Sequence, residues 1–280
     1  MGIRIITDST ADFSNEEVKM YNIEVVPLLV NFGGDFYRER LDITSEGFYE
    51  RLMVAKELPG TSQPSPNDYL RIFHDADDKK DEVIVITISS KLSGTYQNCV
   101  LAQKLSQYES IDIIDSLNTT LGQKVMVLQA IRMRDEGKSC KEIVEFLETR
   151  KKDVTLLVYL DTLDYLVKGG RVSRVAGVAG EILGIRPVVT IIDGEVTTLS
   201  KERGRVKALN AILSLINETG YDPDLPICYG YTYPYETGVE VKKFFIDNGF
   251  PEADITSVGA VVGTHGGPNA GGIGYYKKLK

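Results

Sequence analysis

Short runs of isoleucine and valine alternate with amphipathic stretches through the first half of the chain. The pattern predicts strands at residues 3–7, 23–32, 83–88 and 111–114. The third of these is almost wholly apolar, as expected of a strand that is buried on both faces. Apolar residues at helical spacing predict helices near 14–21, 45–55, 66–76, 94–107 and 119–136. Strands that alternate with helices in this way predict a mostly parallel sheet flanked by helices.

Two helix starts carry clear local signals. Ser65 is a good N-cap residue, Pro66 follows at the first helical position, and Asp68 stands at the third. Ser139 predicts the start of another helix, and Gly137 just before it predicts the end of the previous one.

The second half of the chain has a different pattern. It predicts strands near 154–160, 226–232, 257–262 and 272–276. It predicts a short helix at 161–167 and longer ones near 203–219 and 236–248. Asp193-Gly194, between apolar runs at 185–192 and 196–199, is a strong hairpin signal. We therefore predict an α/β fold of two lobes: residues 1–152 form an N-terminal α/β lobe, and residues 153–280 form a C-terminal mixed α+β lobe. The groove between them is a usual place for a ligand.

Composition narrows the class of protein. The formal net charge is −8, all of it from residues 1–150, which argues against a general nucleic-acid binder. The three cysteines are too few and too scattered for a disulfide framework or a metal site, which favours a reducing compartment. No apolar stretch approaches the length of a membrane-spanning helix. We expect a soluble, cytoplasmic protein with no stable membrane insertion.

Three loops combine hydroxyl groups or glycines with a position directly after a predicted strand or near the end of the chain. They are residues 8–12, 91–95 and 263–269. Ligands of open parallel sheets bind outside the carboxyl ends of the strands, where helix N-termini favour anions. These loops are therefore the candidate binding region.

Each candidate also has a purely structural interpretation. Ser93 could be an ordinary helix N-cap, Thr61 and Ser62 could be loop residues, and His265 is as often structural as functional. An acyl hydrolase with Ser93 as nucleophile and His265 as base is a further alternative. The positions two residues either side of Ser93 are not the glycines of a nucleophile elbow, which counts against that enzyme.

Taken together, five motifs resemble the DegV family of fatty-acid-binding proteins, over nearly the whole chain. The motifs occur in the family's order and are Thr7-Asp8-Ser9-Thr10-Ala11-Asp12, Thr61-Ser62-Gln63-Pro64-Ser65, Ser89-Ser90-Lys91-Leu92-Ser93-Gly94-Thr95-Tyr96, Lys168-Gly169-Gly170-Arg171 and Gly263-Thr264-His265. The sequence departs from the family's pattern at Gly266 and Asn269, where members tend to have Thr and Gly. Asparagine still tolerates a left-handed backbone, so the shape of this loop should survive.

The resemblance implies a function. It implies a carrier without catalytic residues or cofactor, which encloses a long-chain fatty acid such as palmitate or oleate. Thr61 and Ser93 would then bond the carboxylate, with Ser62 and His265 close by. The implied partner is a fatty acid kinase, which phosphorylates the presented carboxylate toward phospholipid synthesis. A lipid-sensing regulatory protein remains an alternative.

Two basic clusters lie in the electrically neutral second half. One contains Lys168, Arg171 and Arg174, and the other begins at Lys201. The resemblance places Arg171 and Arg203 near the mouth of the acid site, where a kinase that carries ATP would dock. We expect charge reversal at either arginine to leave acid binding nearly intact and to slow phosphorylation.

Overall fold

The structure is a computed structural model that describes residues 2–172 and 184–279, and the strands in these ranges form three sheets. The helices are α1 (Asn15–Met20), α2 (Ser45–Val54), α3 (Pro66–Lys79), α4 (Thr95–Ser106), α5 (Thr120–Asp135), α6 (Cys140–Arg150), α7 (Asp164–Lys168), α8 (Arg205–Thr219), α9 (Tyr235–Asp247) and α10 (Ala260–Gly266). The strands are β1 (Ile3–Asp8), β2 (Glu24–Val26), β3 (Leu29–Phe32), β4 (Asp35–Arg38), β5 (Gly60–Ser62), β6 (Glu82–Thr87), β7 (Ile111–Asp115), β8 (Val154–Tyr159), β9 (Ile185–Ile192), β10 (Glu195–Arg203), β11 (Ile227–Tyr231), β12 (Ile255–Ser257) and β13 (Gly271–Tyr276).

A four-stranded parallel sheet organises the first half. Its order is β2-β1-β6-β7, and every neighbouring pair is parallel. Residues Val83 to Ile86 of β6 are completely buried because α3 and α4 cover one face of the sheet and α5 and α6 the other. The predicted α/β architecture of this lobe is confirmed, as is the α3 start, where both the backbone N and the hydroxyl of Ser65 donate to Asp68 Oδ2 at 2.9 Å.

A six-stranded mixed sheet organises the second half, in the order β10-β9-β8-β13-β11-β12. Its β9–β10 hairpin turns at Asp193 and Gly194, both with positive φ, as predicted. The division into lobes at 152/153 stays a prediction. The strands of the parallel sheet all precede residue 116, and those of the mixed sheet all follow residue 153.

Helix α5 joins the two sheets into one core. Its residues Leu121 and Val125 belong to a buried cluster that also contains Ile5 of β1, Leu156 of β8 and Tyr276 of β13. The turn of the β9–β10 hairpin also contacts the loop after β6 of the parallel sheet, because the Ser89 hydroxyl donates to the carbonyl of Gly194 at 2.8 Å. The carboxyl end of the parallel sheet therefore faces the mixed sheet.

The single strand predicted at 23–32 is wrong. The segment breaks at Pro27, which has no N–H to donate to a ladder. The N–H of Leu28 donates instead to the Ser9 hydroxyl at 2.9 Å. β2 stays in the parallel sheet, whereas β3 pairs with β4 and β5 in a small antiparallel sheet that the hydrophobic pattern did not predict.

The strand predicted at 257–262 is also wrong. β12 ends at Ser257, and α10 begins at Ala260. Val261 and Val262 favour a strand by their branched side chains. The helix forms because distant carboxylates accept its first N–H groups, as described below.

None of the helices in the described ranges combines the length and the apolar character that crossing a bilayer requires.

Candidate functional site

A cavity of about 370 Å³ lies between the carboxyl end of the parallel sheet and one face of the mixed sheet. Along β8 its wall is formed by alternate residues, as expected of one face of a strand. Half of its thirty lining residues are aliphatic: Leu28, Ile88, Leu92, Leu121, Leu156, Val158, Leu160, Leu166, Val189, Ile191, Val196, Val258, Val261, Val262 and Ala270. Such a lining suits an apolar ligand.

All four candidate binding residues from the sequence line this cavity: Thr61, Ser62, Ser93 and His265. Thr61 and Ser62 lie in β5, an edge strand of the small sheet, and not in a loop. Thr61 pairs with Val30, and the Thr61 hydroxyl lies 3.0 Å from His265 Nε2. Two residues that are 204 positions apart in the chain therefore meet at one side of the cavity.

Two glycines allow the loops around these residues to come together. A Cβ on Gly94 would overlap the side-chain amide of Gln63, and a Cβ on Gly169 would overlap the His265 ring. Neither glycine has a positive φ, so the missing side chain, and not backbone freedom, is what each position requires. Gln63 beside Gly94 thus joins β5 to the start of α4, and Gly169 joins the end of α7 to α10. We call this polar end the mouth of the cavity.

Ser93 is not a simple helix cap. The N-cap of α4 is Gly94, and the Ser93 hydroxyl lies 2.9 Å from the Thr95 hydroxyl and 3.4 Å from the Thr95 backbone N. The hydroxyl is half-buried and has further hydrogen-bonding capacity for a group in the cavity. No hydrogen bond joins Ser93 to His265 among the described residues.

His265 is held in its neutral form. Burial lowers its pKa to about 4, and the nearby positive charge of Arg171 acts in the same direction. Its Nδ1 atom is buried without a hydrogen-bond partner among the described residues. A neutral imidazole has one N–H donor and one acceptor, so Nε2 can either donate to the Thr61 hydroxyl or accept from it, while Nδ1 lies against Gly169.

Helix α10, which carries His265 near its end, is anchored at its start by two buried carboxylates. The N–H of Gly259 donates to Asp12 Oδ1, and the N–H of Val261 donates to Glu39 Oε1, both at 2.8 Å. Asp12 also accepts from the Thr120 hydroxyl at 2.6 Å and from the Arg40 guanidinium at 3.2 Å. This anchor satisfies helix N–H groups that have no partner within the helix.

Burial raises the pKa of both carboxylates of the anchor. Burial, and after it the negative charge of Asp12, raise the pKa of Glu39 to about 7. Burial also raises the pKa of Asp12, although the Arg40 guanidinium, the Thr120 hydroxyl and the Gly259 N–H act in the opposite direction. The sequence singled out Asp12 as part of a strand-end motif but gave no signal for Glu39.

The two arginines predicted to dock a partner lie in different surroundings. Arg171 lines the cavity, and its guanidinium donates to the carbonyls of Leu92 at 3.3 Å and Gly169 at 2.6 Å. Arg203 is exposed at the end of β10, opposite Ile185, and is not part of the lining. Arg174, in the same basic cluster as Arg171, lies outside the described residues.

Asn269 has a φ of 59°, so the left-handed backbone expected at this position is present. Within residues 2–172 and 184–279, no group of three or more His, Cys, Asp and Glu side chains could hold a metal ion.

Comparison with known proteins gives concordant results. A family model described as "Uncharacterised protein, DegV family" matches residues 2–278. A DegV domain-containing protein of Caldanaerobacter subterraneus is 36% identical, over 99% of each chain. A solved DegV family structure from Thermus thermophilus, described as showing fatty acid binding, superposes with a TM-score of 0.90 at 31% identity, over 99% of this chain and 100% of that one. The Streptococcus pneumoniae Fatty Acid Kinase (Fak) B3 protein, solved with linoleic acid, gives 0.85 at 25% identity, over 99% and 100%.

Proposed function

Because this chain belongs to the DegV family, we propose that it binds one long-chain fatty acid, such as palmitate or oleate. In this proposal the protein does not itself catalyse a reaction of the bound acid. The observation that carries this proposal is the cavity, which has aliphatic walls and a mouth where Thr61, Ser93 and His265 converge. A similar structure from Thermus thermophilus is described as showing fatty acid binding, which supports the same ligand class.

The acyl tail would supply most of the affinity. Each methylene transferred from water into an apolar site contributes about 0.8 kcal/mol. A tail of roughly fourteen methylenes would contribute on the order of 11 kcal/mol before the entropy costs of binding. The head group then needs only orientation.

The mouth suits a carboxylate that must stay reactive. The hydroxyls of Thr61 and Ser93 would donate to its oxygens, with Ser62 beside them and neutral His265 next to Thr61. Neutral donors bind a carboxylate less tightly than a bidentate arginine would, and so leave an oxygen available for chemistry.

The geometry favours a carrier over an acyl hydrolase. A serine hydrolase needs its base within hydrogen-bond reach of the nucleophile, and a third group that orients the base. Here the His265 Nε2 atom contacts Thr61, and its Nδ1 atom has no carboxylate partner among the described residues. The Ser93 hydroxyl contacts Thr95 instead.

We propose further that the protein works in the cytoplasm and presents the bound carboxylate to a fatty acid kinase. The kinase would phosphorylate it with ATP, and the acyl phosphate would enter phospholipid synthesis. The similar Streptococcus pneumoniae protein bears the name Fatty Acid Kinase (Fak) B3 protein, which supports a kinase partner. Arg171 at the mouth and exposed Arg203 would form the docking surface.

The decisive test is native mass spectrometry of protein purified from a lipid-containing host. We expect one fatty acid per chain, identified after denaturation. An apo protein that also fails to bind added palmitate or oleate would overturn the proposal.

A further inference from the structure

The cavity has a direction, which the strands of the mixed sheet define. Leu160, just beyond β8, packs in one cluster with Leu166 of α7. Gly169, at the end of α7, lies against His265. The Leu160 end of β8 is therefore at the mouth of the cavity. Leu156 is the β8 residue farthest from Leu160 that still lines the cavity. The two residues are four positions apart, which corresponds to about 13 Å along a strand.

Leu121 lies at the level of Leu156, far from the mouth. It is the second residue of α5, lines the cavity and is only 1% exposed. Its carbonyl accepts from the Cys228 thiol at 3.5 Å. Cys228 of β11 pairs with Gly274 of β13, and Gly274 pairs in turn with Leu156 of β8. Leu121 thus packs over the deep end of the sheet.

Two glycines make room for Leu121. An ideal Cβ on Gly230 would overlap the methyl groups of Leu121, and a Cβ on Gly274 would come within 2.6 Å of its backbone. Neither glycine has a positive φ, so the space that a side chain would fill is what each position provides. Gly230 also lines the cavity itself.

The first turn of α5 cannot easily move away. Thr120, next to Leu121, is fixed by its hydrogen bond of 2.6 Å to the buried Asp12. A side chain at residue 230 would therefore displace the Leu121 methyl groups, and the cavity that Leu121 lines is the free space next to them.

We infer that Leu121, packed against Gly230, is the stop that sets the longest acyl chain the cavity accepts. This inference rests on the proposed fatty acid binding. Gly230 leaves the space that the Leu121 side chain occupies, so a larger residue at position 230 would change how far the stop lies from the mouth.

The test measures the dissociation constants of straight-chain saturated acids from laurate to arachidate. For wild-type protein we expect Kd to fall about fourfold per added methylene and then to stop falling at a chain length set by Leu121. We call this chain length the break. Gly230→Ala should move this break to a shorter acid, with weaker binding of the longest acids. Leu121→Ala, which removes three carbon atoms from the stop, should move the break to a longer acid.

Val125→Ala is the matched control. Val125 lies one turn farther along α5, is completely buried in the same cluster and does not line the cavity. We expect it to lower stability without moving the break. If Gly230→Ala does not fold, Leu121→Ala decides the question alone.

The outcomes separate this inference from the function on which it depends. If wild-type protein binds none of the acids, the proposed function fails. If it binds them with a clear break that Leu121→Ala leaves in place, the proposed function stands and the inference is overturned.

Discussion

The two ends of helix α10 use polar groups in opposite ways. At its start, Asp12 and Glu39 are buried acids that accept backbone N–H groups, and Arg40 pairs with Asp12. At its end, His265 is neutral, and its Nδ1 atom has no partner among the described residues. At the start, hydrogen bonds from backbone N–H groups to carboxylate oxygens hold the framework in place. At the end, His265 lines the cavity together with the neutral side chains of Thr61 and Ser93, where a ligand can contact them.

This contrast explains how a short, valine-rich helix can position a binding residue. Seven residues of α10 have little intrinsic helical stability. The helix is fixed at its start by contacts with residues more than 200 positions away. Its other end is then rigid enough to place His265 3.0 Å from Thr61.

The largest effect should come from breaking the anchor. Asp12→Ala removes the acceptor of the Gly259 N–H and the Thr120 hydroxyl, and leaves Arg40 without its paired carboxylate. Removal of one partner from a buried ion pair costs about 3–5 kcal/mol. Urea unfolding should show this loss. Asp42→Ala, at a surface ion pair with Arg38, is the control and should change stability little. Equal losses in the two variants would contradict the anchor.

The second effect concerns the pH dependence of stability. The raised pKa of Glu39 makes the folded state hold a proton that the unfolded state releases, so this group's stabilisation is full below about pH 4.5 and lost as pH rises through about 7. The lowered pKa of His265 works in the opposite sense: its contribution is full above about pH 6.5 and lost as pH falls through about 4. Between roughly pH 4.5 and 6.5 the two slopes oppose each other.

Single variants should reveal the two slopes separately. We expect the free energy of unfolding of Glu39→Gln to rise with pH more steeply than that of wild type, by up to about 1.4 kcal/mol per pH unit. That of His265→Gln should fall with pH relative to wild type. The double variant should restore the wild-type slope. Identical pH profiles for wild type and both single variants would show that neither end of α10 titrates in this range.

A smaller effect is expected at the mouth. Thr61→Ala and Ser93→Ala should each weaken fatty acid binding by roughly 1–3 kcal/mol, because each removes one hydrogen bond to a charged group. Isothermal titration with oleate measures this change. Thr95→Ser, which keeps the hydroxyl next to Ser93, serves as the control. If Ser93→Ala instead abolished an esterase activity of the wild type, the hydrolase would replace the carrier.

The smallest effect on ligand binding should follow from Arg203→Glu. Arg203 lies outside the cavity lining, so acid affinity should hardly change, whereas coupled phosphorylation with a partner kinase should slow. Arg171→Glu is a less clean variant, since it places a carboxylate in the mouth. Unchanged kinase rates for Arg203→Glu would remove this arginine from the docking surface.

The sequence by itself determined much of this protein. The apolar run of β6 predicted a buried central strand, Asp193-Gly194 predicted the hairpin, and the order of the motifs identified the family. These features are local or are repeated along the chain, so hydrophobic periodicity and turn chemistry reveal them.

Only the tertiary structure decided what depends on distant contacts. Branched valines predicted a strand where α10 forms. The prediction failed because the carboxylates that stabilise this helix lie elsewhere in the chain. The sequence likewise gave no reason to connect Gly230 with Leu121, since the space that one residue leaves for another exists only after α5 has packed on the mixed sheet. Local pattern fixes which elements can form, and packing decides which groups they bring together.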